Sequence, residues 1–457
     1  MEMNLDALFK PKSVAVVGVS SSNLESPANV IYKKLKNRYP VEIFAVNPRG
    51  GEVQGDSLYK SISDLPKAVD MAILSIRAEF VPDTVAECIA NKVGGAVIIS
   101  GGFTEVGHPE LQDRLTDMAR KADFPIIGPN CLGVFSAGNI DTLFVPPERF
   151  YQPQAGNVAV VSQSGAFLVD LLVKFASINL GVSHTASIGN KAVVREIELL
   201  KYFDKDPNTQ VIAFYIEGFE ENEGREFVNL ARNCTKPVVV IKSGKSSAGS
   251  KAVSSHTASM AGDYKVLSHV FRQNGIIEVQ SEYELLSYCK VLSVYRRSIE
   301  GRVGIMTVSG GHGAIATDLC DQRGMTVPQI PEDAQEIVRS KLNKSIRNIA
   351  TLNNPVDLTA SAVEADFIMV YNELCKLPEF DSFLLLVLPY GANIEATIGS
   401  RMSNPTQKRL KPLIAYTPVV EKYRMMIEGF EANSIPVADS IEGAVMMLDG
   451  LRRNKSC

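Results

Sequence analysis

Of the five histidines in this 457-residue chain, His256 stands inside SSHTASMAG, residues 254–262, among small residues rather than beside metal ligands. A neutral imidazole can attack phosphorus and pass the phosphoryl group on. That chemistry needs a carboxylate to orient the ring, donors to hold the phosphate, and a backbone able to present the side chain. The small residues supply the last. Glu217, ending the apolar run QVIAFYIEG (210–218), is a candidate carboxylate, and Lys242, Lys245 and Lys251 precede the histidine with charge that attracts phosphate. The plainer readings are a histidine that caps a helix or faces solvent, a solvated strand end and a solvated lysine face. From these residues alone both readings stand.

Glycine turns that follow apolar runs could supply the donors, because backbone N–H groups and a helix N-terminus there face an anion. Gly18 closes the first such run and leads into a serine-rich turn, VVGVSSSNLESPAN (16–29). It lacks the GxGxxG spacing of a nicotinamide site. In VAVVSQSGAF (158–167), Ser164, Gly165 and Ala166 open a helix, and in MTVSGGHGAIATD (306–318), Gly310, Gly311 and Gly313 do the same. Taken singly, each is also what a tight turn before a capped helix looks like.

Other chemistries find little support. SGKS (243–246) has the tail of a phosphate-binding P-loop, but Val239 occupies the place of its leading glycine, and HExxH is absent. Seven cysteines without a CxxC pair form neither a disulfide framework nor a zinc site and read as reduced thiols. A net charge of −4 argues against nucleic acid as the main partner. The opening MEMNLDALFKPKSVAVVGV does not read as a signal peptide, and no apolar run reaches the roughly 18 residues of a membrane span, so a cytoplasmic protein is expected.

The elements that must position these residues are short Val- and Ile-rich runs alternating with helical stretches. SVAVVGV (13–19), EIFAVNP (42–48), DMAILSI (70–76) and GAVIIS (95–100) read as buried parallel strands. After FVPPERFYQPQAG (144–156) the pattern restarts with NVAVVS (157–162), QVIAFYIEG and KPVVVIKSG (236–244), and after Gly301 with RVGIMTVSGG (302–311), SFLLLVLPYG (382–391) and PLIAYTP (412–418). An α/β protein of three doubly wound domains follows, at 1–130, 131–298 and 299–457.

In chain order stand IGPNCLG (127–133), VVSQSGAF (160–167), SIGNKA (187–192), YIEG (215–218), SSHTASMAG and NPVDLT (354–359). With these motifs the whole chain resembles the alpha subunits of the NDP-forming acyl-CoA synthetases, the family of ADP-forming acetyl-CoA synthetase and a relation of succinyl-CoA ligase. The resemblance implies a Rossmann-like CoA-binding domain followed by two flavodoxin-like ligase domains. It implies that His256 is a transient phosphohistidine steadied by Glu217. Ser164, Gly165 and Ala166, and Gly310, Gly311 and Gly313, would hold the phosphate from two domains. Coenzyme A would lie on Gly18, Ser20, Asn47, Pro48, Arg49 and Ile76, with Asn130 and Cys131 near its thiol end. A buried small hydrophobe is the plainer reading of Cys131.

The implied reaction is acyl-CoA plus phosphate plus ADP giving acid, CoA and ATP. ADP or ATP with Mg2+ would sit on a separate ATP-grasp beta subunit in an alpha2-beta2 heterotetramer. A succinyl-CoA ligase alpha subunit usually ends near where the third domain begins here, and a non-catalytic CoA-binding regulator would be marked by a lost histidine. The sequence departs from the family where Val193 and Arg195 replace acidic residues, and where Ile76 and Arg77 replace a Val-Pro pair. His312, inside the third glycine turn, reads equally as a phosphate contact or a helix-start residue.

Overall fold

The computed structural model describes residues 3–256, 264–389, 393–402 and 411–455, with the backbone alone for 253–256. Its first sheet contains β1 (Ser13–Val17), β2 (Glu42–Val46), β3 (Met71–Leu74), β4 (Ala96–Ile98) and β5 (Ile126–Ile127). All are parallel, in the order β2-β1-β3-β4-β5. Every residue of β1 is buried, as a strand covered on both faces requires. The helix α1 (Pro27–Arg38) follows β1, with Ser26 accepting from the Asn29 amide at 3.4 Å and Pro27 in its first turn.

The second sheet contains β6 (Gly133–Ser136), β7 (Ile140–Asp141), β8 (Ala155–Ser162), β9 (Val182–Ser187), β10 (Val211–Ile216), β11 (Val238–Lys242) and β12 (Ile277–Val279). Its order is β12-β11-β10-β8-β9-β6-β7, and β6 joins β9 antiparallel. The third contains β13 (Val303–Thr307), β14 (Val356–Asp357), β15 (Ser382–Leu386), β16 (Leu413–Tyr416) and β17 (Val437–Ala438), parallel in the order β14-β13-β15-β16-β17. Each sheet thus carries a doubly wound core in which the first strand lies between the second and third. In that order ligands gather beyond the carboxyl ends of the first and third strands, where the crossovers diverge.

The chain divides into two compact units, Met1–Glu282 and Tyr283–Cys457. The first holds two sheets on a shared core: Val14, Val16, Ile31 and Leu35 belong to one cluster with Val134, Ala159, Val161 and Ile212. The second builds its own core from Met306, Phe367, Leu385 and Ala415. The helix Glu282–Leu292 falls almost wholly in the second unit. Among the described residues no helix is long and apolar enough to cross a membrane.

Candidate functional site

At the end of β8 the Ser162 hydroxyl donates to the Ser164 carbonyl at 2.6 Å and accepts from the Ser164 amide at 3.2 Å. This closes the turn and sets Ser164 as the cap of α2 (Gly165–Ser177), where its Oγ accepts from the Phe167 amide at 3.4 Å. The first turn of a helix has no internal acceptors for its amides, so Gly165 and Ala166 present N–H groups at the positive end of the helix dipole. A Cβ on Gly165 would lie 3.0 Å from the Leu132 Cβ, so a small residue keeps the helix start close to the IGPNCLG loop.

Between these serines Gln163 turns inward, 8% exposed. Its Oε1 accepts from the amides of Glu217 at 2.5 Å and Gly218 at 3.1 Å. Its Nε2 donates to the Gly218 carbonyl at 2.7 Å and to the Glu196 carboxylate. Lys191 reaches the same place: its Nζ lies 3.0 Å from the Gly218 carbonyl, 3.2 Å from Glu196 and 3.0 Å from Glu223. Burial pushes the Glu196 carboxyl up to about 7, against the pull of Lys191 and with the help of Glu223.

Glu217 follows β10 and is itself 8% exposed. Its Oε2 is buried and has no hydrogen-bond partner among the described residues. The Lys242 ammonium, at the end of the adjacent β11, donates to the Glu217 carbonyl at 2.6 Å and to the Ser243 carbonyl. Burial pulls Lys242 down to about 8, opposed by the Glu217 charge. The strands that bring Ser164 and Glu217 out together are therefore neighbours, β8 and β10. His256 closes α3 (Ser247–His256), and its side chain lies outside the described residues, as do residues 257–262 of SSHTASMAG.

In the first sheet Gly18 has φ +104°, and a Cβ there would overlap the carbonyl oxygen of Ser75. Ser20 donates its amide to Asn29 Oδ1 at 2.7 Å, which ties the serine turn to the start of α1. Asn47 donates to the Val19 carbonyl at 2.7 Å and accepts from the Arg49 amide at 2.9 Å, so the β2 loop and the serine turn form one rim. Pro48 and Arg49 are exposed on it. The Ile76 amide and carbonyl both bind the Ser100 hydroxyl, at 3.0 and 2.6 Å, and the Arg77 guanidinium lies over the Phe80 ring at 4.9 Å.

Asn130 is exposed and donates to Asn190 of SIGNKA at 3.2 Å. Cys131 beside it is buried, its thiol 3.2 Å from the Ile98 carbonyl and pushed by burial up to about 12. A thiol held protonated is a poor nucleophile. Val193, one of the family departures, packs in the apolar cluster of the first sheet, and Arg195 precedes the helix Glu196–Lys205. The sequence reading missed Gln163, Lys191, Glu196 and Glu223. VVSQSGAF and SIGNKA contain the first two, but nothing in their spacing shows that they meet.

In the second unit, β13 ends in the same kind of turn. The Thr307 hydroxyl donates to the Ser309 carbonyl at 3.1 Å and accepts from its amide at 3.0 Å. Helix α4 (Gly310–Gln322) begins without a side-chain cap, because Ser309 Oγ instead meets His312 Nδ1 at 3.0 Å. His312 stacks on Tyr416 at 6.2 Å between centroids. NPVDLT supports this start: a Cβ on Gly313 would lie 3.0 Å from Pro355, and one on Gly310 3.2 Å from Asp357 Oδ2.

The CoA binding domain model matches residues 12–137, and the succinyl-CoA ligase like flavodoxin domain model matches 155–292. Over 392 residues the chain is 38% identical to ADP-forming acetate–CoA ligase I of Archaeoglobus fulgidus, covering 84% of this chain and 55% of that protein. It thus spans about half the length of that relative. It is 32% identical over 465 residues to the alpha subunit of ADP-forming acetate–CoA ligase I of Pyrococcus furiosus, covering 98% of this chain and 97% of that subunit. Among solved structures, dinucleotide-forming acetyl-coenzyme A synthetase 1 of Candidatus Korarchaeum cryptofilum, in complex with phosphate and ADP, matches with a TM-score of 0.88 at 29% identity. That match covers 99% of this chain and 97% of that one.

Proposed function

The chain belongs to the family of ADP-forming acetate–CoA ligases, and from that premise we propose that it is the CoA-binding, phosphoryl-accepting part of a reversible acyl-CoA ligase. The observation that carries this reading is Glu217, a buried carboxylate with one oxygen lacking a donor among the described residues, on the strand beside the phosphate-type helix start at Ser164. A buried acceptor without a donor is costly, and an imidazole N–H is a group that would satisfy it.

Inorganic phosphate attacks the thioester carbonyl, the C–S bond breaks, CoA leaves, and an acyl phosphate remains. A ring nitrogen of His256 then attacks phosphorus, the P–O bond to the acyl oxygen breaks, and the free acid departs. Glu217 holds the other ring N–H and stabilises the cationic ring, while the amides of Gly165 and Ala166 hold phosphate oxygens. The phosphoryl group passes finally to ADP with Mg2+, on an ATP-grasp beta subunit in an alpha2-beta2 assembly. Alpha subunits among the relatives support such a partner.

Coenzyme A is assigned to the first sheet. The fit rests on Gly18, where only a residue without a side chain lets the backbone pass Ser75, and on the serine turn leading into α1. Arg49 and Arg77, both exposed near that crevice, offer charge to its phosphates. The test is mass spectrometry of the chain after incubation with acetyl-CoA and phosphate, kept alkaline because phosphohistidine is acid labile. A phosphoryl adduct on the His256 peptide, absent in His256→Ala, supports the relay. CoA binding with no adduct for any acyl-CoA points to a regulator instead.

A further inference from the structure

We propose that Gln163 is a positioning residue for Glu217, coupling the start of α2 to the carboxylate at the end of β10; the inference rests on the phosphohistidine reading above. Gln163 lies between Ser162 and Ser164, whose mutual hydrogen bonds fix the helix start. Its side-chain amide is occupied on both ends, with two amides converging on Oε1 and two acceptors facing Nε2. One side chain thereby fixes the peptide units on both sides of the Glu217 Cα. Lys191 holds the Gly218 carbonyl from the other side, tied down by Glu196 and Glu223. The backbone of Glu217 is fixed by these contacts, yet its Oε2 receives no donor from them.

The arrangement requires an amide. Gln163→Glu places a second acceptor against the Gly218 carbonyl and the Glu196 carboxylate, and Gln163→Leu removes all four bonds. Either change frees the Glu217 turn relative to the Ser164 helix start, and a displacement on the order of 1 Å at a reacting geometry can cost roughly a hundredfold in rate.

The experiment is a double-mutant cycle on the full chain, using acetyl-CoA and inorganic phosphate and reading single-turnover phosphohistidine formation alongside CoA affinity. Gln163→Leu is expected to slow phosphorylation roughly a hundredfold in the wild-type background. In the Glu217→Gln background it should cost no more than about twofold, because a residue that acts through Glu217 has nothing left to position. CoA affinity should stay within about twofold in both, the range expected of independent sites. Gln163→Asn, which withdraws the amide by one methylene, is read in the same cycle should the leucine variant not fold. An equal loss in both backgrounds, or an unchanged rate, overturns the coupling while leaving the relay intact. A wild-type chain that forms no phosphohistidine overturns the relay and the coupling together.

Discussion

Lys34 on α1 and Asp141 on β7 form an ion pair at 2.8 Å, with side chains 1% and 0% exposed. The pair links the helix layer of the first sheet to the edge of the second. Burial drives both groups toward their neutral forms, lowering Lys34 and raising Asp141, and their mutual attraction opposes it. Removing only the lysine leaves a dry carboxylate. Lys34→Ala is expected to cost about 3–5 kcal/mol in urea unfolding. Lys34→Met combined with Asp141→Asn, which keeps the acceptor for the Leu143 amide, should recover part of that loss.

Gly18 should tolerate no side chain. In Gly18→Ala the positive φ alone costs about 1–3 kcal/mol, and the overlap with Ser75 forces the turn away from its place. Calorimetric titration is expected to show CoA affinity lost while His184 and its neighbours in the second sheet remain folded by NMR.

The two hydroxyl-closed turns differ in how their helices begin, and stability should report it. Ser164 caps α2 with its side chain, so Ser164→Ala should lower unfolding free energy by about 1 kcal/mol. Ser309 bonds His312 rather than the helix, so Ser309→Ala should stay within about 0.5 kcal/mol of wild type. Matched denaturant curves on the two variants make the comparison.

The lysine at the end of β11 sets a pH dependence. Its folded-state pKa is lowered from 10.5 to about 8, so between those values the unfolded chain binds the extra proton. The folded state is penalised fully below about 8, and the penalty disappears as pH rises toward 10.5. Over the same window the ammonium that holds the Glu217 and Ser243 carbonyls is lost. Phosphohistidine formation is therefore expected to fall above pH about 8 while melting temperature gains, and Lys242→Met should flatten both trends.

The sequence announced ten strands through their Val- and Ile-rich runs, and all ten are present. Val182–Ser187 was hidden, although every residue of it is buried beside β8. Its Ser, His and Thr residues read as a loop, yet the strand is buried; Thr185 Oγ1 has no hydrogen-bond partner among the described residues, whereas three of its other polar residues meet groups from elsewhere in the chain. Ser183 meets Thr209 at 2.8 Å, His184 lies 3.3 Å from Asp206, and Ser187 accepts from the Leu132 amide at 3.1 Å. The two-residue strands Ile126–Ile127 and Val437–Ala438 are too short for any periodicity to mark.

At the candidate site the loops were legible as motifs, because glycine and serine before a helix have a local meaning. The side chains behind them were not. Gln163 and Lys191 act on a turn more than twenty residues further along the chain, and only the parallel pairing of β8 with β10 brings Gln163 to Glu217.

The oxygen of Glu217 that has no donor among the described residues has a thermodynamic consequence. Keeping a buried acceptor without a donor costs the fold about 1–3 kcal/mol. Any donor that reaches it restores that amount, so docking at Glu217 and resistance to unfolding are linked quantities. A binding event at this carboxylate therefore announces itself as a rise in melting temperature, and Glu217→Gln uncouples the two.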